Sequence, residues 1–395
     1  MYDAIIVGAR CAGAATGMLL ARRGYRVLLV DRSSFPSDVP QGHFIHRHGP
    51  PRLARWGLLD RAIATNCRPV VSAVIDFGDF PLAATDLVVD DVPMGIGPRR
   101  AAFDQVLIDA AMAAGAEVRT RFLVEDVLGD GDRVIGIRGR SLDGGSPVVE
   151  RASITIGADG RRSRIAAAVR AESYNEVPTA ACWYFSYWSH VDVRGIEFYV
   201  RPDRYVITHP TNDDLVAVFV GWPLERLADV GRDLERSMMR ALDGASDLAE
   251  RVRAGRRVES IFGATDLPHF YRRPFGPGWA LVGDAGCHKD PILALGMCDA
   301  LRDAELLADA VDARFSGMRD MQDALAEYEA RRNAASRDDY LQNVSLAQFR
   351  PIPPAMLRIR AAVRGDAALS RHYVLARQGL MSWESLMASL AGAVA

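Results

Sequence analysis

The sequence predicts an α/β protein in which a Rossmann-like parallel sheet is interrupted by an antiparallel sheet and followed by a helical C-terminus. Three observations predict it. The chain opens as βαβ: a continuous apolar run at Tyr2–Val7, a helical pattern over Ala12–Arg23 and a second buried strand at Tyr25–Val30. Strand ends running into Gly or Asp recur far apart, at Gly8, at Gly157-Ala-Asp-Gly160 and at Gly283-Asp284. Between Ala180 and Trp222 the pattern changes to short strands rich in Trp, Tyr, Phe and Val, which suits a separate antiparallel sheet.

The remaining elements follow in order. Pro50–Ala64 reads as helix, and Val70–Phe77 and Leu87–Met94 read as strands leading to Arg99-Arg100. Ala101–Ala114 has apolar residues at helical spacing, followed by strands near Val118–Val127 and Arg133–Gly139. Leu224–Arg253 is helical and charged. Trp279–Val282 is an apolar strand, a loop carries Cys287 to Pro291, and a helix opens near Gly296. From about Met318 the chain is largely helical, with a break at Arg350-Pro-Ile-Pro-Pro354. The expected division is 1–70, 99–175 and 266–335 for the parallel-sheet domain, 71–98 and 176–265 for the inserted sheet, and 336–395 for the helical segment.

Composition bounds the function. At 395 residues and 49% hydrophobic, the chain buries a large core. A net charge of −2 makes no case for nucleic acid or an anionic membrane. No apolar run reaches the ~20 residues that span a bilayer. Five scattered cysteines without a CxxC pair argue for reduced thiols rather than a disulfide framework or a metal site. With MYDAIIVG already inside a strand pattern, the expectation is a cytoplasmic enzyme, monomer or homodimer, without metal.

The glycine turn Gly8-Ala-Arg-Cys-Ala-Gly13 lies between strand and helix. Gly8 permits the turn, Gly13 allows close helix packing, and the helix start at Ala12 offers backbone N–H groups to a pyrophosphate. Arg10 stands where the middle glycine would be and is expected to reach a phosphate oxygen with its fork. Asp31, 23 residues beyond Gly8 and beside Arg32, is placed to accept ribose hydroxyls.

These motifs, taken in order, resemble the FAD-dependent monooxygenases of the p-hydroxybenzoate hydroxylase fold, a group related to geranylgeranyl reductases and flavin halogenases. The glycine turn with Asp31 resembles that family's site for the ADP half of FAD. Gly157-Ala-Asp-Gly160 with Ser163 is similar to its central DG motif, and Gly283-Asp284, Pro291, Gly296 and Asp303-Ala304 to its GD motif. The resemblance implies a Rossmann-like FAD-binding domain with an inserted antiparallel-sheet substrate domain. It implies ribitol binding by Asp284, a pyrimidine clamp at Gly296, Met297 and Cys298, and contacts from Arg100, Val124, Asp159 and His43. His43 stands where many members have an arginine, and Ala294, Leu295 and Cys298 replace the commoner Gly, Gln and Asn.

Lys289 is the only lysine among 48 basic residues. It is a candidate catalytic cation beside the flavin or a survivor of coding bias, His288 is an acid/base candidate, and Pro291 shapes an oxygen pocket. Tyr184, Trp188 and His209 are substrate candidates on the aromatic sheet, though core packing serves the strand equally well. The reaction that the resemblance implies is hydroxylation of an aromatic or polyketide-like molecule, in specialised metabolism, with NADPH or NADH as reductant and O2 captured as a C4a-hydroperoxyflavin. A reductase or dehydrogenase of the geranylgeranyl reductase type acting on an apolar alkene or alcohol keeps the same motifs, as does a non-redox protein with FAD as scaffold. A halogenase is disfavoured, since the chain lacks a WxWxIP segment and a relay lysine in its N-terminal half.

Overall fold

A computed structural model describes residues 1–39 and 41–394. The chain divides into two compact units: Met1–Gln41, Arg100–Pro178 and Pro268–Val344, and Gly42–Arg99, Thr179–Leu267 and Ser345–Ala395. Residues 42–70, which the sequence groups with the parallel-sheet domain, thus fall in the second unit, as does the helical C-terminus.

The first unit is built on five parallel strands in the order Glu117–Arg119, Val27–Val30, Tyr2–Val7, the second half of Val148–Gly157, and Trp279–Leu281. Ile5, Ile6, Leu28 and Leu29 are fully buried, as expected of strands covered on both faces and read as unbroken apolar runs. The register aligns Val7 with both Val30 and Gly157, and Gly157 with Leu281. Gly8, Asp31, Asp159 and Asp284 therefore leave the sheet at one edge, at the carboxyl ends of neighbouring strands. The helix Cys11–Ala21 is buried nearly all round because helices Arg100–Ala113 and Gly296–Phe315 pack on it. An antiparallel extension, Arg133–Ser141 and Phe122–Asp130, continues the sheet. A smaller three-stranded sheet sets Tyr174 and Tyr271 against Tyr340 of the helix Met321–Leu346.

The second unit is a mainly antiparallel sheet running Arg256–Arg257, Ala181–Ser189, Val216–Pro223, Arg204–Pro210, Ile196–Arg201, Ala73–Asp76 and Pro81–Ala84. One face is covered by three short helices, Leu227–Gly231, Leu234–Ala241 and Leu248–Ala254, over a core that includes Trp188, Val218, Met238 and Leu248. Helix Ala367–Arg377 packs against Pro81–Ala84, and helices Pro354–Val363 and Trp383–Val394 complete the C-terminal region.

Two expected elements are broken in the structure. Pro50–Ala64 is two helices, Gly49–Arg55 and Leu59–Ile63, parted at Gly57, whose φ of +71° ends the first turn sequence in a left-handed cap. Leu87–Met94 is a tight hairpin of Val88–Val89 and Val92–Pro93, turned through Asp90 and Asp91 at φ +51° and +60°. Leu224–Arg253 is helical as expected, in several short pieces.

Candidate functional site

The glycine turn is dictated by close contact. Gly8 has φ +104°, and a Cβ there would lie 2.4 Å from the Ala158 carbonyl oxygen. A Cβ at Gly13 would come within 1.8 Å of the Gly8 oxygen. The helix that follows has no side-chain cap and no acidic residue in its first turn. Its first N–H groups and the positive end of its dipole suit an anion. Asp31 is fixed at the adjacent strand end: one oxygen accepts from Ala9 N at 2.8 Å, the other from Ser33 N at 2.7 Å.

Arg10 is held differently from the sequence expectation. Its guanidinium donates to Asp104 at 2.7 Å and to Ser37 O and Oγ at 3.2 and 3.1 Å, and it lies over the Phe35 ring. The fork is thus occupied by protein groups. Arg100 donates to the same carboxylate from Nε and Nη2, and reaches Gln41 at 3.0 Å. Burial alone would weaken the Arg100 charge, but the Asp104 and Asp284 carboxylates around it hold its pKa above the ordinary value. Two guanidiniums sharing one carboxylate leave positive charge beside the helix start. Asp104, 0% exposed, was not legible as a site residue; its spacing of four from Arg100 was the available signal. Burial pushes the Cys11 thiol up, so it stays protonated at neutral pH. Arg32 is exposed.

Asp159 organises the DG turn. Its carboxylate accepts from Ser163 Oγ at 2.5 Å and from Arg164 N at 2.7 Å, while Ser163 caps the helix Arg164–Ala168 through Ala166 N. Arg272 then bridges the DG and GD turns, donating to the carbonyls of Arg161 and Ala285. Val124 is buried in the extension, its carbonyl facing Arg164 at 3.4 Å.

Gly283, at φ +63°, lies so near the glycine turn that a Cβ would sit 2.7 Å from that of Ala12. The next residue, Asp284, is half-buried, and among the described residues its carboxylate has no hydrogen-bond partner. A strand-end carboxylate with open lone pairs, next to an uncapped helix and a glycine cradle, fits a diol-bearing phosphate ligand. Pro291 is half-buried, in a short 3-10 turn capped by Asp290, whose Oδ1 accepts from Ile292 N. The helix begins at Gly296 as expected; Gly296 is exposed and Met297 and Cys298 are buried.

The catalytic candidates of this loop are bonded within the first unit. His288 Nδ1 meets the Pro268 carbonyl at 2.5 Å, and its ring stacks on Phe270. Lys289 donates to Asp299, which also accepts from Arg302 at 2.6 Å. Burial opposes the Lys289 charge, but Asp299 outweighs it and holds the amine above its usual range. Lys289 is therefore a fixed cation rather than a proton donor.

The second unit sorts the remaining candidates by face. Tyr184 and Trp188 pack in the helix-covered core. On the opposite face Phe185 stacks on Phe219 at 4.7 Å, and Tyr187, Phe262, His43 and His209 surround them. His43, expected among the cofactor contacts, lies here with Nδ1 3.5 Å from Tyr187 Oη. His209 is 1% exposed; burial lowers its pKa to about 4, so it is neutral. Arg99 lies 4.2 Å over the Tyr187 ring and pairs with Glu259. Phe185, Tyr187, Phe219 and Arg99 were not singled out by sequence, because strict alternation marks both faces of the strand as apolar.

Among the described residues no helix is long and apolar enough to cross a membrane, and no group of acidic, His or Cys side chains has the arrangement of a metal site. Known proteins share this architecture. The digeranylgeranylglycerophospholipid reductase 2 of Methanococcoides burtonii is 26% identical over 83% of this chain and 79% of its own. The structure of the myxobacterial chondrochloren halogenase CndH superposes with a TM-score of 0.80 at 24% identity, over 98% of this chain and 95% of that one. The p-nitrophenol 4-monooxygenase PnpA of Pseudomonas putida DLL-E4 gives 0.78 at 18% identity, over 95% and 97%. The family resemblance drawn from the three motifs is borne out, with monooxygenases, halogenases and geranylgeranyl reductases all present. Because the model of the FAD binding domain family matches residues 1–340, across all three turns at the sheet edge, the chain belongs to that family and is an FAD-dependent oxidoreductase.

Proposed function

We propose that the protein is an NAD(P)H-dependent monooxygenase that hydroxylates an aromatic or polyketide-like small molecule. The observation that carries this reading is the face of the second unit's sheet opposite its three short helices, where Phe185, Tyr187, Phe219 and Phe262 gather with two buried histidines. Offset and edge-on ring contacts favour a flat, electron-rich partner over a flexible aliphatic chain. Bound FAD supplies electron transfer from NADH or NADPH and the activation of O2. The chain's own groups bind and orient it. The Cys11–Gly13 amides would hold the pyrophosphate, with Arg10, Asp104 and Arg100 supplying positive charge behind them, Asp31 would hold the ribose, Asp284 the ribitol, and the helix start at Gly296–Cys298 the pyrimidine edge. Asp159 and Arg272 hold the turns in place. Pro291 and His288 shape the loop against water.

A reductase of an apolar alkene is the second reading, favoured by the names of relatives such as the M. burtonii reductase. Halogenation is disfavoured, because the chain's only lysine is tied to Asp299. The deciding experiment reduces the FAD-loaded protein anaerobically with each nicotinamide in the presence of candidate phenols, then admits O2. Product carrying one added oxygen supports hydroxylation. Product formed before O2 enters, from an alkene, would replace it with the reductase reading. A protein that does not take up FAD would end both.

A further inference from the structure

Lys289 lies in a row of four alternating charges: Lys289, Asp299, Arg302 and Asp303. Their side chains are between 1% and 11% exposed, so salt screens them little. Asp299 is in the first turn of the helix Gly296–Phe315, where a carboxylate opposes the positive end of the dipole. Arg302 is shared between Asp299 and Asp303, so the row is neutral only with Lys289 in it. The path of the loop does not need that amine. His288 is tied to Pro268, and the Asp290 carbonyl accepts from Asn343 at 2.9 Å.

We propose that Lys289 is a positioning residue for charge: by neutralising Asp299 it preserves the positive potential of this helix end toward the flavin. The inference rests on the reading that the helix end meets FAD. Reduction adds negative charge to the flavin, so the net negative charge left on the row without Lys289 disfavours it.

The test uses the full-length, FAD-loaded protein, titrated against a redox dye and monitored by flavin absorbance. Lys289→Met is expected to lower the reduced-to-oxidised ratio at fixed potential about tenfold, which is about 30 mV for a two-electron couple. Asp299→Asn is expected to raise it by a similar factor. The double variant returns it to within about twofold of the parent, and Lys289→Arg, which keeps the charge, leaves it in place. A merely structural lysine predicts lost stability with unmoved potentials, and that result, or shifts of the same sign in both single variants, would overturn the proposal. If Lys289→Met does not accumulate, Asp299→Asn decides alone, an unmoved potential counting against. A parent that binds no FAD would refute the flavin reading itself, which is a different outcome.

Discussion

Asp104 accepts from Arg10 and Arg100 at full burial, and the two cations depend on it for their placement. Breaking a buried pair by removing one partner leaves charge unpaired, at about 3–5 kcal/mol. Asp104→Asn should lose stability of that order in urea unfolding; a loss below 1 kcal/mol would mean the carboxylate is not their anchor. Asp284 makes the opposite case, a carboxylate open to a ligand. A hydrogen bond to a charged group is worth about 1.5–3 kcal/mol. Asp284→Ala should therefore raise the FAD dissociation constant roughly tenfold or more, by fluorescence titration, with little change in the stability of the apoprotein. His209 supplies a pH prediction. Its pKa is about 4 when folded and near 6.5 unfolded, so the unfolded chain binds more protons between those values. Stability should fall as pH drops through that window, by about 3 kcal/mol in all. His209→Gln should flatten this limb of the denaturation profile.

At the scale of elements, the packing of the helix Cys11–Ala21 onto the parallel sheet has almost no tolerance. Since a Cβ at Gly13 would meet the Gly8 oxygen at 1.8 Å, Gly13→Ala must push the helix off the strand. The cost should reach or exceed the upper end of the ~1–3 kcal/mol typical of overpacking. The variant should be recovered without bound FAD, and a yellow protein of parental stability would refute the contact. This turn was legible because glycine at fixed spacing after an apolar strand has a steric cause that sequence displays. So was Asp31, at the end of the next strand. The hairpin at Asp90-Asp91 was not, since its turn carries neither Gly nor Asn, the residues that usually mark positive φ. Nor was the useful face of Ala181–Ser189. Tyr184 and Trp188 looked as suitable as Phe185 and Tyr187 until the helices Leu227–Ala254 were seen to cover one side.

For the whole molecule, the motifs mark the order of the parallel strands better than the division of the chain. Gly8, Asp159 and Asp284 lie more than a hundred residues apart, yet register brings them to one sheet edge, because each follows a strand paired to the next. Residues 42–70 carry no such marker. Their helical and apolar pattern fits either unit, and only tertiary contact assigns them to the second. The proposed FAD site is thus gathered from three distant segments of the first unit, none of which holds it in an unfolded chain. Ligand that binds only the folded state adds stability by mass action, about 2.7 kcal/mol at a hundredfold excess over the dissociation constant. The deflavinated protein should therefore unfold at lower temperature than the FAD-saturated one, and the gap should widen with FAD concentration. Asp284→Ala should shrink that gap without moving the apoprotein's own midpoint. Equal midpoints with and without saturating FAD would show that the three turns do not form one binding site in the folded chain.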